Sequence, residues 1–93
     1  MIERMSGCLQ VKVPMTLANA RGLLMAGRSA LREGEVVFDL SQVADADSSA
    51  IAVMLGWLRH AVNTRSTVKF LHIPQGVRSL AELYGLTDHL PQT

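Results

Sequence analysis

Apolar and polar residues recur with two different periods along this chain. Leu9-Gln10-Val11-Lys12-Val13 alternates residue by residue, which predicts a half-buried strand that Pro14 ends. Two short runs rich in β-branched and apolar residues predict further strands at 35–40 and 67–73. Apolar residues spaced three and four apart predict helices over 16–32 and 48–63. A third helix is predicted to start at Pro74 and to end before Gly85.

The order of these elements predicts an α/β fold. Strands that alternate with helices are typical of a mainly parallel sheet. Because there are only three helices, we expect one layer of helices on one face of a mixed sheet. A chain of 93 residues has room for one core, so we expect a single domain over residues 1–93.

The first predicted helix has an expected start, an expected end and an expected buried stripe. Thr16 is the candidate N-cap residue, and Gly34 lies just beyond the C-terminal end. The stripe consists of Leu17, Ala20, Leu24, Gly27 and Leu31.

The second predicted helix is apolar on more than one side. Ala50 to Leu58 includes no polar side chain, so a second stripe with Val53 and Trp57 lies beside the stripe that faces the sheet. Such a helix must be covered on more than one side. Two interpretations stay open: neighbouring helices of the same domain cover the second stripe, or Val53 and Trp57 dock on a partner. Tryptophan is frequent at binding hot spots.

The loop before this helix, Ala44-Asp45-Ala46-Asp47-Ser48-Ser49-Ala50, is rich in carboxylates and hydroxyls. Asp47 or Ser48 can cap the helix. A phosphate on Ser48 or Ser49 would be favoured by the free N–H groups and the dipole of the helix start, and opposed by Asp45 and Asp47. Phosphorylation would therefore change the charge of this loop strongly, as a switch against a partner would.

Composition excludes several classes of function. The net charge is +1, the basic residues are scattered and aromatic residues make up 4% of the chain, so nothing predicts nucleic-acid binding. Cys8 is alone, which rules out an internal disulfide or a cysteine-based zinc site. No apolar run approaches the roughly 18 residues of a membrane span, and none at the start predicts a signal peptide. We therefore expect a cytoplasmic protein without direct membrane insertion.

Neither a catalytic nor a metal site is predicted. His60, His72 and His89 lie far apart and lack the pair spacing of a helical metal site. A small hydrolase that uses Ser48 or Ser49 is a third possibility, but Gly-x-Ser-x-Gly is absent, as is a Gly-rich phosphate loop. We expect a non-enzyme without a cofactor.

One stretch resembles a known family. Val36-Val37-Phe38-Asp39-Leu40-Ser41, followed by Asp47-Ser48-Ser49-Ala50 and an apolar helix, resembles the STAS domain of anti-sigma factor antagonists and sulfate-transporter tails. In that family an Asp-Ser-Ser-Gly loop opens the helix that partners recognise, and a hydroxyl there is phosphorylated in the antagonists. Ser49 matches the phospho-acceptor by position and Ser48 the hydroxyl before it, while Ala50 replaces the final glycine.

A narrower resemblance lies further along the chain. Leu58-Arg59-His60-Ala61, Leu80-Ala81-Glu82-Leu83-Tyr84-Gly85-Leu86 and Leu90-Pro91 resemble the small STAS subunit of the Mla system. That system is an inner-membrane ABC complex that moves phospholipids to maintain outer-membrane asymmetry. The resemblance implies a non-catalytic cytoplasmic subunit that binds the ABC ATPase, is peripheral to the inner membrane through that complex, and supports its assembly and activity.

The alternative is an anti-sigma factor antagonist that binds an anti-sigma factor kinase and is regulated by phosphorylation of Ser49 or Ser48. The transport-subunit and antagonist hypotheses predict the same partner-binding surface. Its residues are Asp45, Asp47, Ser48, Ser49, Ala50, Val53 and Trp57.

Overall fold

The computed structural model describes residues 1–92, which form one four-stranded sheet and three α-helices. The elements in chain order are β1 (Ile2–Met5), β2 (Cys8–Val11), α1 (Leu17–Ala30), β3 (Gly34–Asp39), α2 (Ser49–Thr64), β4 (Ser66–Leu71), α3 (Gln75–Leu83) and a 3₁₀ turn (Thr87–His89). The sheet order is β1-β2-β3-β4, with β1 antiparallel to β2 and the other two pairs parallel. The predicted α/β fold with a mixed, mainly parallel sheet is confirmed.

The first strand was not predicted. β1 and β2 form a hairpin in which Met5 pairs with Cys8 across a turn that includes Gly7, whose φ of 84° is the left-handed conformation that glycine adopts without strain. Of the four residues of β1, only Ile2 is even half-buried. A strand this short and this exposed has no apolar alternation to reveal it.

The helices cover one face of the sheet. Val36 and Phe38 of the central strand β3 point into the core on that face, together with Val68 and Phe70 of β4. The opposite face carries polar side chains, and there Lys69 Nζ lies 3.5 Å from Glu35 Oε2. This alternation is that of a sheet with one covered face.

Helix α1 buries its predicted stripe except at its first residue. Gly27 and Leu31 of the stripe are buried, and Ala20 and Leu24 are partly buried against the core. Leu17, by contrast, is 76% exposed, and Leu23, which the predicted stripe did not include, is buried. The helix ends at Ala30, and Gly34, with φ of 101°, starts β3 instead of closing α1.

Helix α2 buries its second stripe completely. Trp57 is 0% exposed; its ring stacks on Phe38 with centroids 4.2 Å apart, and its indole N–H donates to the Leu23 carbonyl oxygen over 3.1 Å. Val53 is 3% exposed. The prediction that Val53 and Trp57 form an exposed docking surface is therefore wrong, because both side chains are buried in the core. The alternative, that the domain itself covers this stripe, is confirmed.

Helix α3 begins and ends as its sequence predicts. Pro74 precedes its first residue, and Gly85 adopts a left-handed φ of 69° just beyond its end. The Leu86 N–H then donates to the Ala81 carbonyl oxygen over 2.8 Å, which closes the helix in the manner of a Schellman motif. Among the described residues, no helix has the length and apolar character that a membrane span needs.

Candidate functional site

The predicted site lies on a loop that the fold holds between two helix starts. We call residues 45–49 the tip. The backbone N–H of Met15 donates to the Asp45 carbonyl oxygen over 2.9 Å, and that of Asp47 donates to the Met15 carbonyl oxygen over 3.2 Å. These two bonds attach the tip to the connection between β2 and α1. Consequently α1 and α2 both begin beside the tip, at the carboxyl ends of the parallel strands.

The Asp47 carboxylate joins the two helices. Its Oδ1 accepts a hydrogen bond from the Ser49 N–H over 2.8 Å, and its Oδ2 accepts one from the Leu17 N–H over 3.1 Å. Both donors belong to first turns, whose N–H groups have no partner inside their own helix. The Ser49 N–H, and next the Leu17 N–H, hold the pKa of Asp47 below its ordinary value.

This arrangement corrects the predicted cap of α1 and decides between the two candidates for α2. Neither Thr16, the N-cap residue of α1, nor Ser48, that of α2, makes a side-chain capping bond. Asp47, the other candidate for α2, accepts hydrogen bonds from the first turns of both helices.

The serines of the tip differ in their surroundings. Ser48 is exposed, and its hydroxyl has no hydrogen-bond partner within residues 1–92. Ser49 is half-buried, and Ala50 is 0% exposed. The tip therefore presents Asp45, Asp47 and Ser48 to solvent. The prediction that Ala50 contacts a partner is wrong, because its side chain lies within the core.

Leu17 extends the tip and was missed as a site residue. Its backbone is bonded to Asp47, and its side chain is exposed beside the tip. The sequence placed it on the buried stripe of α1, and only the tertiary contact shows that it belongs to the surface.

A second polar cluster lies at the same edge of the sheet. The buried Asp39 carboxylate accepts from the Ser41 N–H over 2.9 Å and from Gln10 Nε2 over 3.2 Å, and its Oδ1 lies 3.2 Å from His72 Nδ1. Burial acts to raise the pKa of Asp39, but hydrogen bonds from Ser41, His72 and Gln10 outweigh it and lower the pKa to about 2.

The Asp39 cluster explains one of the three histidines. His72 pairs with a carboxylate that the sequence did not assign to it, while His60 and His89 are outside this cluster. Within residues 1–92, no three His, Cys, Asp or Glu side chains group closely enough to hold a metal ion. The cluster links β2, β3 and the end of β4, which is a structural role.

Solved structures define the class of fold. A crystal structure of a candidate anti-sigma factor antagonist from Thermotoga maritima matches with a TM-score of 0.73 at 12% identity, covering 99% of this chain and 83% of that one. An anti-sigma-factor antagonist (STAS) domain protein from Planctomyces limnophilus matches with a TM-score of 0.71 at 12% identity, covering 99% and 86%. Identities this low show the fold alone, and that fold is the STAS domain.

The family follows from the sequence itself. The family model described as "Mlab, STAS domain" matches residues 2–92, so this chain belongs to that STAS family. The resemblance noted in the sequence is thereby confirmed at the level of the family. A search of the curated proteins found no match to the chain.

Proposed function

We propose that this chain is a non-catalytic accessory subunit of an Mla-type phospholipid-transport ABC complex. In this proposal it binds the nucleotide-binding ATPase in the cytoplasm and is peripheral to the inner membrane only through that complex. Residues 1–93 act as a single binding domain. The observation that carries the proposal is the match of residues 2–92 to the family described as "Mlab, STAS domain".

The geometry of the tip supports a binding role. Asp47 uses both oxygens on backbone N–H groups, so the tip is already ordered before a partner arrives. Preorganisation reduces the conformational entropy that association would otherwise lose. The exposed hydroxyl of Ser48 at the start of α2 then offers a donor and an acceptor to the partner. We assign partner contacts to Asp45, Ser48 and Leu17, and assign the positioning of the tip to Asp47 and Ser49.

The experiment is co-purification of the tagged chain with the ABC ATPase encoded by the same genome. Ser48→Arg places a long cation where the ATPase would approach the tip, and we expect it to release the ATPase. Ser79→Arg is the matched control, because Ser79 is also an exposed serine but lies on α3, which is not part of the tip. Release by Ser48→Arg but not by Ser79→Arg supports the proposal. Retention of the ATPase by Ser48→Arg contradicts the assigned site.

The second candidate function is an anti-sigma factor antagonist, and the likeness to two solved antagonist-type proteins favours it. In that case an anti-sigma factor kinase phosphorylates Ser49. The phosphate would lie beside the Asp47 carboxylate, since the Ser49 N–H is already bonded to Asp47 Oδ1. Repulsion between the two anions would displace one of them and change the tip.

The same pull-down separates the two functions. An ABC ATPase with its membrane partners identifies a transport subunit, whereas a kinase that binds the unmodified chain and is released by Ser49→Asp identifies an antagonist. Recovery of the kinase without the ATPase would replace the first proposal with the second.

A further inference from the structure

The outer face of α1 is basic. Arg21 and Arg28 lie on one side of the helix, since seven residues are close to two turns, and both are exposed. Leu17 and Met25 are on the same side, and we call these four residues the basic face. No acidic residue occurs in α1.

These arginines have no carboxylate partner among residues 1–92. The two salt bridges found in residues 1–92, Lys69–Glu35 and His72–Asp39, involve no arginine. Arg28 has a structural explanation, because a cation in the last turn interacts favourably with the helix dipole. Arg21, in the middle of the helix, has none. At the far end of α1, Arg4 Nη2 donates to the Ala30 carbonyl oxygen over 3.2 Å and adds another guanidinium group.

The basic face also carries exposed apolar side chains. Leu17 is 76% exposed and Met25 is 61% exposed. Met1, which is exposed as well, lies against α1 at Gly22. Three of the seven exposed large hydrophobic residues of the described chain are therefore on or beside this one helix. Arginine and methionine are enriched in protein interfaces, whereas lysine, which the basic face lacks, is depleted there.

An anionic membrane fits this face less well than a protein does. Helices that lie on membranes insert a broad apolar face, but the buried residues of α1, Leu23 and Gly27, are occupied in the core. In addition, the N-terminal end of the basic face adjoins the acidic tip, where Asp45 and Asp47 are exposed. An anionic lipid surface would repel these two carboxylates.

We infer that the basic face of α1 binds an acidic surface of a partner protein, with carboxylates opposite Arg21 and Arg28 and an apolar contact at Met25. The face is continuous with the tip through Leu17, so one partner can cover both. The inference rests on the proposed function in this single respect, that the partner is the one bound at the tip.

Affinity measurements with the purified ATPase test the inference. We expect the double variant Arg21→Glu, Arg28→Glu to bind roughly a hundredfold more weakly and with less dependence on salt concentration, as loss of complementary charge pairs predicts. Arg78→Glu, an exposed charge reversal on α3, is the matched control and should bind normally. Arg21→Glu alone is expected to weaken binding roughly tenfold. A thermal melt of each variant shows whether weaker binding comes from a lost contact or from lost folding.

A photo-reactive phenylalanine analogue at position 25 identifies what binds the basic face in native cells. The control is the same analogue at Thr67, which is exposed on the open face of the sheet. Cross-linking at position 25 to a carboxylate-rich segment of a protein supports the inference, and it should disappear when Arg21 and Arg28 are reversed. A lipid adduct, an adduct with a second copy of this chain, or none at all overturns it.

The two proposals fail in different ways. If Ser48→Arg releases the ATPase while the double arginine variant binds normally, the inference is wrong and the proposed function stands. If the unmodified chain does not bind the ATPase, the proposed function is wrong, and the cross-link at position 25 alone decides the inference.

Discussion

Ser48 and Trp57 belong to the same helical segment but have opposite environments. At the start of α2, the Ser48 hydroxyl is exposed and has no hydrogen-bond partner in the described part of the chain, and Asp47 holds the backbone beside it. In the middle of α2, Trp57 is fully buried, stacked on Phe38 and hydrogen-bonded to α1. The segment therefore has a buried stability centre at Trp57 and, at its start, an exposed end to which we assign partner binding.

The most apolar part of the chain is buried within the domain and is therefore not available to a partner. Burial of the stripe that includes Val53 and Trp57 attaches α2 to α1 and the sheet, and this fixes where α2 begins. The tip is then positioned by the core beneath it and ordered by Asp47. In the proposed function, partner binding at the tip would therefore depend on the core only indirectly.

The largest expected effect comes from the stability centre. Trp57→Ala removes a buried ring that stacks on Phe38 and leaves a cavity, so we expect the free energy of unfolding to fall by about 4 kcal/mol. Urea denaturation measures this loss. Trp57→Phe keeps a stacked ring and loses the N–H bond, at a cost of about 1 to 2 kcal/mol. If Trp57→Ala left stability unchanged but abolished partner binding, the assignment of Trp57 to the core would be wrong.

A smaller effect is expected where α1 approaches this ring. A Cβ at Gly27 would overlap the Trp57 indole, so we expect Gly27→Ala to destabilise the domain by about 2 to 3 kcal/mol. Gly76→Ala is the matched control: nothing lies near that Cβ, and alanine is the better helix former, so stability should be unchanged or slightly higher. Equal melting temperatures for the two variants would contradict the close packing of α1 on Trp57.

The apolar pattern was enough to predict three strands and three helices in their order, because each of them has either a periodic apolar pattern or a short run rich in apolar residues. It was not enough to predict β1, whose residues are nearly all exposed, nor the exact membership of the buried face of α1. The predicted stripe was right for Gly27 but wrong for Leu17, and it missed Leu23. Leu23 is buried where α1 meets Trp57, whose N–H donates to the Leu23 carbonyl oxygen, a contact between helices that no local pattern shows.

The candidate site was predicted in part for a similar reason. Acidic and hydroxyl residues before an apolar helix indicate an N-terminal cap, and Asp47 is one. Its second bond, to Leu17, spans 30 residues and exists only because the loop lies against the start of α1. The pairing of Asp39 with His72 likewise joins adjacent strand ends that no local pattern connects.

The polar cluster at the sheet edge predicts a pH dependence of stability. The folded pKa of Asp39 is about 2, below its ordinary value of 3.8, so ionised Asp39 stabilises the fold above about pH 4. This contribution, about 2 kcal/mol, is lost as the pH falls from 4 to 2. We expect Asp39→Asn to lose that part of the pH dependence, and His72→Gln to lose a portion of it. Urea titrations at each pH measure both, and an unchanged profile for Asp39→Asn would contradict the network.

The smallest expected effect is a local change in amide exchange at the tip, without a change in global stability. Asp47→Ala removes the acceptor of the Leu17 and Ser49 N–H groups, so we expect both amides to exchange with solvent several-fold faster while amides within β3 are unaffected. Asp45→Ala is the matched control, because the carbonyl oxygen of Asp45, and not its side chain, bonds to Met15. Faster exchange at only one of the two amides would show that Asp47 orders one helix start and does not join both. Faster exchange at both amides, together with weaker binding of the ATPase, would support the role assigned to Asp47. In that role Asp47 holds the backbone of the tip in place, so that the partner can recognise Ser48.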